Sequence, residues 1–148
     1  MGQVIASASM SLDGYIAKQD NSIGRLFDWL QSGDIETPTA SPGITFHLTK
    51  ASADYWNGWL DEVGCLVVGR LLFDLTEGWK GEHPIGVPFV VLTHEVPTDW
   101  AYEHTGNGHF VTDGIEAAVA RAMDIADGRS VGVAGGTMAG QAHLPFHP

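Results

Sequence analysis

Four stretches of the chain place residues able to hold a small polar ligand directly after a run of apolar ones. They are Ser11-Leu12-Asp13-Gly14-Tyr15-Ile16-Ala17, Gly69-Arg70, Thr93-His94 and Gly135-Gly136-Thr137. Between a strand and a helix, Gly135-Gly136 lets backbone N–H groups approach an anion with no Cβ in the way, and the positive end of a helix dipole adds to the attraction. Paired glycines also make ordinary turns. Arg70 is one of 7 basic residues and stands at the start of a helical stretch, where the dipole is mildly unfavourable for a cation. A ligand phosphate accounts for that placement, because a guanidinium fork matches phosphate oxygens. An ion pair with Asp74 is the plainer account.

Two carboxylates are candidates for proton chemistry. Asp13 lies beside a glycine at a strand end, where it can orient or protonate a substrate, although Asp-Gly is also a common turn dipeptide. Asp54 falls on a helical stretch among Tyr55, Trp56 and Trp59. Facing a cleft it would be desolvated and able to donate a proton; facing outward it is an ordinary surface carboxylate. The 7 histidines show no metal-ligand spacing, since Pro145 interrupts the interval between His143 and His147. Cys65 sits in an apolar run and reads as a small buried hydrophobe. No Gly-x-Ser-x-Gly elbow, phosphate-binding Walker loop or His-Glu-x-x-His motif is present.

These residues need a scaffold, and the apolar pattern supplies one. Val4 to Met10 reads as a buried strand running into a turn, and 20–42 as a long loop with Phe27, Trp29 and Leu30 as its apolar anchor. Thr45 to Trp59 has mostly helical spacing. Cys65 to Gly69 and Pro88 to Thr93 are apolar on both faces, as expected of strands between helix layers, with a short helix from Arg70 to Glu77 between them. His109 to Thr112 is a weaker strand. Gly114 to Asp127 is the clearest helix: Asp113 and Glu116 fit a capping box, Ile115, Val119, Ala122, Met123 and Ala126 form one stripe, and Gly128 ends it. Ser130 to Ala134 is a fifth strand. Strands alternating with helices predict an α/β domain of three layers, with a mainly parallel sheet of about five strands and helices on both faces. In such a sheet ligands bind at the carboxyl ends of the strands, where all four candidate stretches fall.

Composition narrows the partners. A chain of 148 residues, 44% hydrophobic, suits one domain spanning 1–148. Its 7 Lys+Arg against 18 Asp+Glu give a net charge of −11, which repels nucleic acid and anionic membranes. No apolar run approaches the ~20 residues of a membrane helix, and the N-terminus does not read as a signal peptide, so a cytoplasmic location is expected.

Taken in order, Ser11-Leu12-Asp13-Gly14-Tyr15-Ile16-Ala17, Val68-Gly69-Arg70, Val91-Leu92-Thr93-His94, Phe110-Val111-Thr112-Asp113-Gly114-Ile115-Glu116 and Val133-Ala134-Gly135-Gly136 resemble one family. It is that of dihydrofolate-reductase-like proteins related to the C-terminal reductase domain of riboflavin-biosynthetic deaminase-reductases. The resemblance covers residues 3 to about 139. It implies an oxidoreductase that binds NADPH and passes its hydride to a small heterocyclic or carbonyl substrate. Ile16 and Ala17 would then line the nicotinamide pocket. Gly69, Arg70 and Leu72 would lie at the 2′-phosphate, Thr93 and His94 at the adenosine, and Gly135, Gly136 and Thr137 at the pyrophosphate. Asp13 and Asp54 would be the catalytic candidates, with no metal. Leu72 departs from the family, which commonly has Thr there. The family also continues past the glycine pair with further strands, in place of which this sequence has Gly140 to Pro148, with Pro145 and Pro148 unsuited to a central strand. The family order without those strands leaves the first strand at a sheet edge, which predicts a homodimer or larger oligomer. The alternative is a non-catalytic nucleotide-binding or assembly protein derived from such a reductase. A flavin-binding domain is a third reading.

Overall fold

The structure is a computed structural model that describes residues 2–134. Its first strand, β1, is Val4–Ser7. After a long connection containing a 3₁₀ turn at Asp28–Gln31 come β2 (Ile35–Pro38) and β3 (Thr45–Leu48), which pair antiparallel as a separate ribbon. Helix α1 (Lys50–Glu62) runs without a loop into β4 (Val63–Gly69), and α2 (Arg70–Leu75) follows immediately. Then come β5 (Phe89–Leu92), β6 (Gly108–Val111), α3 (Ile115–Ala126) and β7 (Ser130–Ala134). The main sheet has the order β1-β7-β4-β5-β6, and every pair in it is parallel. This is the five-stranded α/β architecture expected from the alternating pattern.

Alternation along β4 divides the core into two. Leu66 and Val68 join Phe89 and Val91 against Ala53 and Trp56 of α1 and Phe73 of α2. Cys65 and Val67 turn the other way, joining Val90, Val131 and Val133 against Ala118, Ala122 and Ala126 of α3. The first face is filled by aromatic rings, with Phe73 edge-on to both Trp100 and Phe110 at 5.4 Å. The second is tight and small-residued, which brings α3 close to the strands. Burial pushes the Cys65 thiol up to about 11, leaving it an inert packing group.

Several elements differ from the sequence expectations. Thr45–Leu48, expected to begin the helix, is a strand: Phe46 and Leu48 are buried and His47 is exposed, a period of two. The helix starts one turn later, where Thr49 caps it by accepting a hydrogen bond from Ser52 N at 3.2 Å. On the other side of the ribbon, 35–38 is a strand rather than loop. β1 is shorter than expected and lies at the sheet edge with alternately exposed residues, so it is not buried. Helix α3 begins after Gly114 with no side-chain cap, so the expected Asp113 cap does not form.

The expected helix from Arg70 ends at Leu75 and gives way to a left-handed turn. Glu77, Gly78, Trp79 and Lys80 all have φ between 49° and 58°. A positive φ costs each non-glycine residue about 1 kcal/mol or more, so packing must hold the turn. Trp100 Nε1 donates to Glu77 O at 3.3 Å, and Trp79 sits edge-on to His83 and Phe89. At Gly78 a Cβ would lie 2.5 Å from the Phe73 ring, so glycine is required there.

Candidate functional site

The carboxyl ends of β4 and β5 lie side by side, with Gly69 opposite Leu92 in the register. Just beyond them the chain makes two turns that are tied together. Thr93 N donates to Val111 O at 3.1 Å, continuing the ladder one step past β5. The buried Thr93 hydroxyl donates to Glu95 O at 2.8 Å and accepts from Glu95 N at 3.4 Å, closing the Thr93–Glu95 turn. Arg70, the first residue of α2, reaches across and donates from Nη1 to Glu95 O at 3.0 Å and to Thr93 Oγ1 at 3.4 Å. Its Nε donates to Asp74 Oδ1 at 2.8 Å, one helical turn on. The phosphate reading and the ion-pair reading of Arg70 are therefore not exclusive: the pair exists, and the guanidinium still stands at the strand ends.

A third wall comes from the connection after β1. Ser11 to Tyr15 folds into a tight turn in which Gly14, at φ 90°, donates its N–H to Ser11 O at 2.9 Å. Asp13 is used inside this turn, accepting from Ser11 Oγ at 2.5 Å, and is exposed. Further along, Lys18 N donates to Ser22 O and Asn21 adopts φ 63°. Asp20 accepts from Ser22 N at 2.9 Å, and its hydrogen bonds with Ser22 hold its carboxyl below the usual carboxylate range. This loop contributes Ile16, Ala17, Asn21 and Ile23 to the same cavity that Leu71, Leu72 and Leu75 of α2 line.

Together these segments border a half-open cavity of about 870 Å³, within the range of small-molecule and cofactor sites. Ile16, Ala17, Gly69, Arg70, Leu72, Thr93 and His94 all line it. The remaining three of the expected cofactor residues, Gly135, Gly136 and Thr137, lie outside the described residues. Asp13 and Asp54 do not line the cavity. Asp54 is one position past the buried Ala53 on α1, so its side chain points outward, 65% exposed and paired with Lys50 at 2.8 Å. It faces solvent, not the cleft that a proton-donating role requires.

Other residues complete the lining: Asn21, Ile23, Leu71, Leu75, Leu92, Glu95, Thr112, Gly114 and Ile115. Two of them stand out once the helix is seen. Leu71 and Leu75 stand one turn apart on a short helix whose buried position is Phe73, and both remain more than half exposed, at 56% and 60%. Apolar side chains presented in this way mark a surface kept for a partner or ligand.

A second groove, of about 610 Å³, runs along β6 and α3 and is lined by His109, Asp113 and Arg121 among others. It contains none of the expected site residues. Partial burial and the neighbouring Arg121 both lower the His109 imidazole from its usual range. Among the described residues no group of three or more His, Cys, Asp or Glu side chains is placed to hold a metal ion, and no helix is long and apolar enough to cross a membrane.

No protein-family model and no curated protein matches the sequence. Solved structures match its fold. The crystal structure of a candidate riboflavin biosynthesis protein from Shewanella sp. PV-4 superposes with a TM-score of 0.55 at 22% sequence identity, over 93% of this chain and 67% of that one. At that identity the likeness speaks for the fold alone. The chain has the dihydrofolate-reductase-like α/β fold that its strand-end residues resemble.

Proposed function

We propose that the cavity at the carboxyl ends of β4 and β5 binds NADPH and that the protein passes its hydride to a small heterocyclic or carbonyl substrate. One observation carries this reading: seven residues assigned to a dinucleotide from the sequence, spread from Ile16 to His94, line a single cavity. In this arrangement the apolar side, Ile16 with Ala17, takes the nicotinamide, and the Arg70 side takes the phosphorylated ribose. Arg70 also fixes the Thr93–Glu95 turn, so it shapes the adenosine end as well as charging it. Catalysis rests on holding donor and acceptor in contact with water excluded, and the nicotinamide, when bound, supplies the hydride.

The test is a titration of NADPH into the full chain, followed by calorimetry and by quenching of its 5 tryptophans. Saturable binding in the micromolar range, weakened at least tenfold by Arg70→Ala, supports the reading. No saturable binding at millimolar NADPH refutes it. Reductase activity is then measured as loss of the reduced nicotinamide absorbance with heterocyclic and carbonyl substrates.

A specific observation favours a second reading, a nucleotide-binding protein without catalysis. Neither Asp13 nor Asp54 reaches the cavity, and among the described residues the only carboxylate in its lining is Glu95. Binding of NADPH without turnover of any carbonyl or heterocycle would support this alternative.

A further inference from the structure

Arg70 and Glu95 are the only Asp, Glu, Lys or Arg residues among the described lining of the cavity, and the guanidinium is already engaged with Asp74, Thr93 and Glu95. A guanidinium offers two edges for bidentate pairing: Nε with one terminal nitrogen, and the two terminal nitrogens together. Asp74 Oδ1 occupies the first edge through Nε at 2.8 Å. Nη1 is engaged as well, donating to Glu95 O at 3.0 Å and to Thr93 Oγ1 at 3.4 Å. The Nε edge is therefore not open whole to an incoming phosphate. The Nη1 engagement is with neutral groups, a carbonyl and a hydroxyl, and positions the turn. The Nε engagement is with a carboxylate, and it is the one a phosphate dianion must share or displace. The Arg70 and Asp74 side chains are 40% and 49% exposed, so the pair is accessible enough to exchange partners and is worth little to the fold.

We propose that Asp74 is a specificity-determining residue that holds down selectivity for the 2′-phosphorylated dinucleotide by competing for Arg70. The inference rests on the dinucleotide reading of the cavity. NADPH and NADH differ only in the 2′-phosphate, so a carboxylate bound to the phosphate-facing guanidinium penalises one and not the other. The Glu95 carboxylate differs: it lines the cavity, but only its backbone carbonyl is bonded to Arg70. The proposal therefore assigns the larger penalty to Asp74, whose carboxylate is in contact with the guanidinium.

Five forms of the full chain test this by calorimetric titration with NADPH and with NADH: wild type, Asp74→Asn, Asp74→Ser, Glu95→Gln and the double variant Arg70→Ala/Asp74→Asn. Removing one carboxylate next to a bound dianion in a solvent-exposed setting is expected to tighten NADPH about five- to tenfold, with NADH changed less than twofold. Asp74→Ser should repeat the effect, which excludes a contact peculiar to the new amide. The double variant should lose the gain, and Glu95→Gln should give less than half of it. Equal changes for both dinucleotides, an unchanged ratio, or a Glu95→Gln gain as large as that of Asp74→Asn overturns the inference and leaves the dinucleotide reading standing. Absence of saturable binding by either dinucleotide in every form overturns both.

Discussion

At the amino ends of β4 and β7 the chain closes on itself, whereas at the carboxyl ends of β4 and β5 it leaves a cavity of about 870 Å³. The closed end is sealed by backbone contacts and a short polar network. Gln3 N donates to Ser130 Oγ at 3.1 Å, Ser130 Oγ donates to Glu62 Oε1 at 3.3 Å, and Arg129 Nη1 donates to Val63 O at 3.0 Å. Gly64 makes a register shift between β4 and β7 and lies against the backbone of α3. At the open end the cation is turned toward the cavity and the exposed leucines of α2 have no core to fill. The same strands thus serve stability at one end and leave recognition to the other. Substitutions should separate accordingly, changing stability at the closed end and ligand affinity at the open one.

The largest effect is expected at Gly64. A Cβ there would stand 2.7 Å from Ala126 O and 2.9 Å from Ala126 Cα, both backbone atoms that cannot swing aside. Gly64→Ala should cost about 3 kcal/mol in urea unfolding. Retained wild-type stability would mean that the closed end is not tightly packed.

His83 tests the same end by pH. It lies in the segment leading into β5, mostly buried beside Trp79, and its Nδ1 accepts from Ile85 N at 3.3 Å. Burial pushes its imidazole down to about 4. The unfolded chain, with an ordinary histidine near 6.5, binds the proton more readily. Stability from this group is therefore full above about pH 6.5 and drains as pH falls towards 4, by up to about 3 kcal/mol. Unfolding free energies measured at pH 7 and pH 4.5 should show the loss, and His83→Gln should flatten it.

Substitution at the open end should read out in binding. Arg70→Lys keeps the charge but cannot make the forked contacts to Asp74, Thr93 and Glu95. NADPH affinity should fall about tenfold, with unfolding free energy changed by less than about 1 kcal/mol. A large stability loss with unchanged affinity would reverse the assignment of roles. The smallest effect is expected away from both ends: Thr49→Ala removes the cap of α1 and should cost about 1 kcal/mol in thermal unfolding, without altering affinity.

The sequence exposed the sheet because parallel strands buried on both faces carry their signal locally. Val63–Gly69 and Phe89–Leu92 are apolar runs with no polar face, and the stripe of α3 is long enough to show its period. The β2–β3 ribbon was hidden because each strand has only four residues, and the spacing of Phe46 and Leu48 merges with that of the helix behind them. The left-handed turn was hidden for another reason. Three of its residues have no preference for positive φ, and what holds them there is Trp100, more than twenty positions later.

The site was legible to the extent that topology dictates it. Once the sheet is parallel, Gly69, Arg70, Thr93 and His94 must gather at one edge. What spacing alone could not fix is orientation. Asp54 turns outward because Ala53 and Trp56 take the buried positions of α1, and Asp13 is consumed by its own turn. The hydrogen bonds of Arg70 to the Thr93–Glu95 turn depend on two chain segments meeting and had no local trace.

A crystal structure of the protein soaked with NADPH tests the assignment of the open end without intermediaries. The expected result is dinucleotide density in the cavity, its phosphorylated ribose within hydrogen-bonding distance of Arg70 and its nicotinamide against Ile16. Density confined to the groove beside Arg121, or an empty cavity at saturating NADPH, would contradict it.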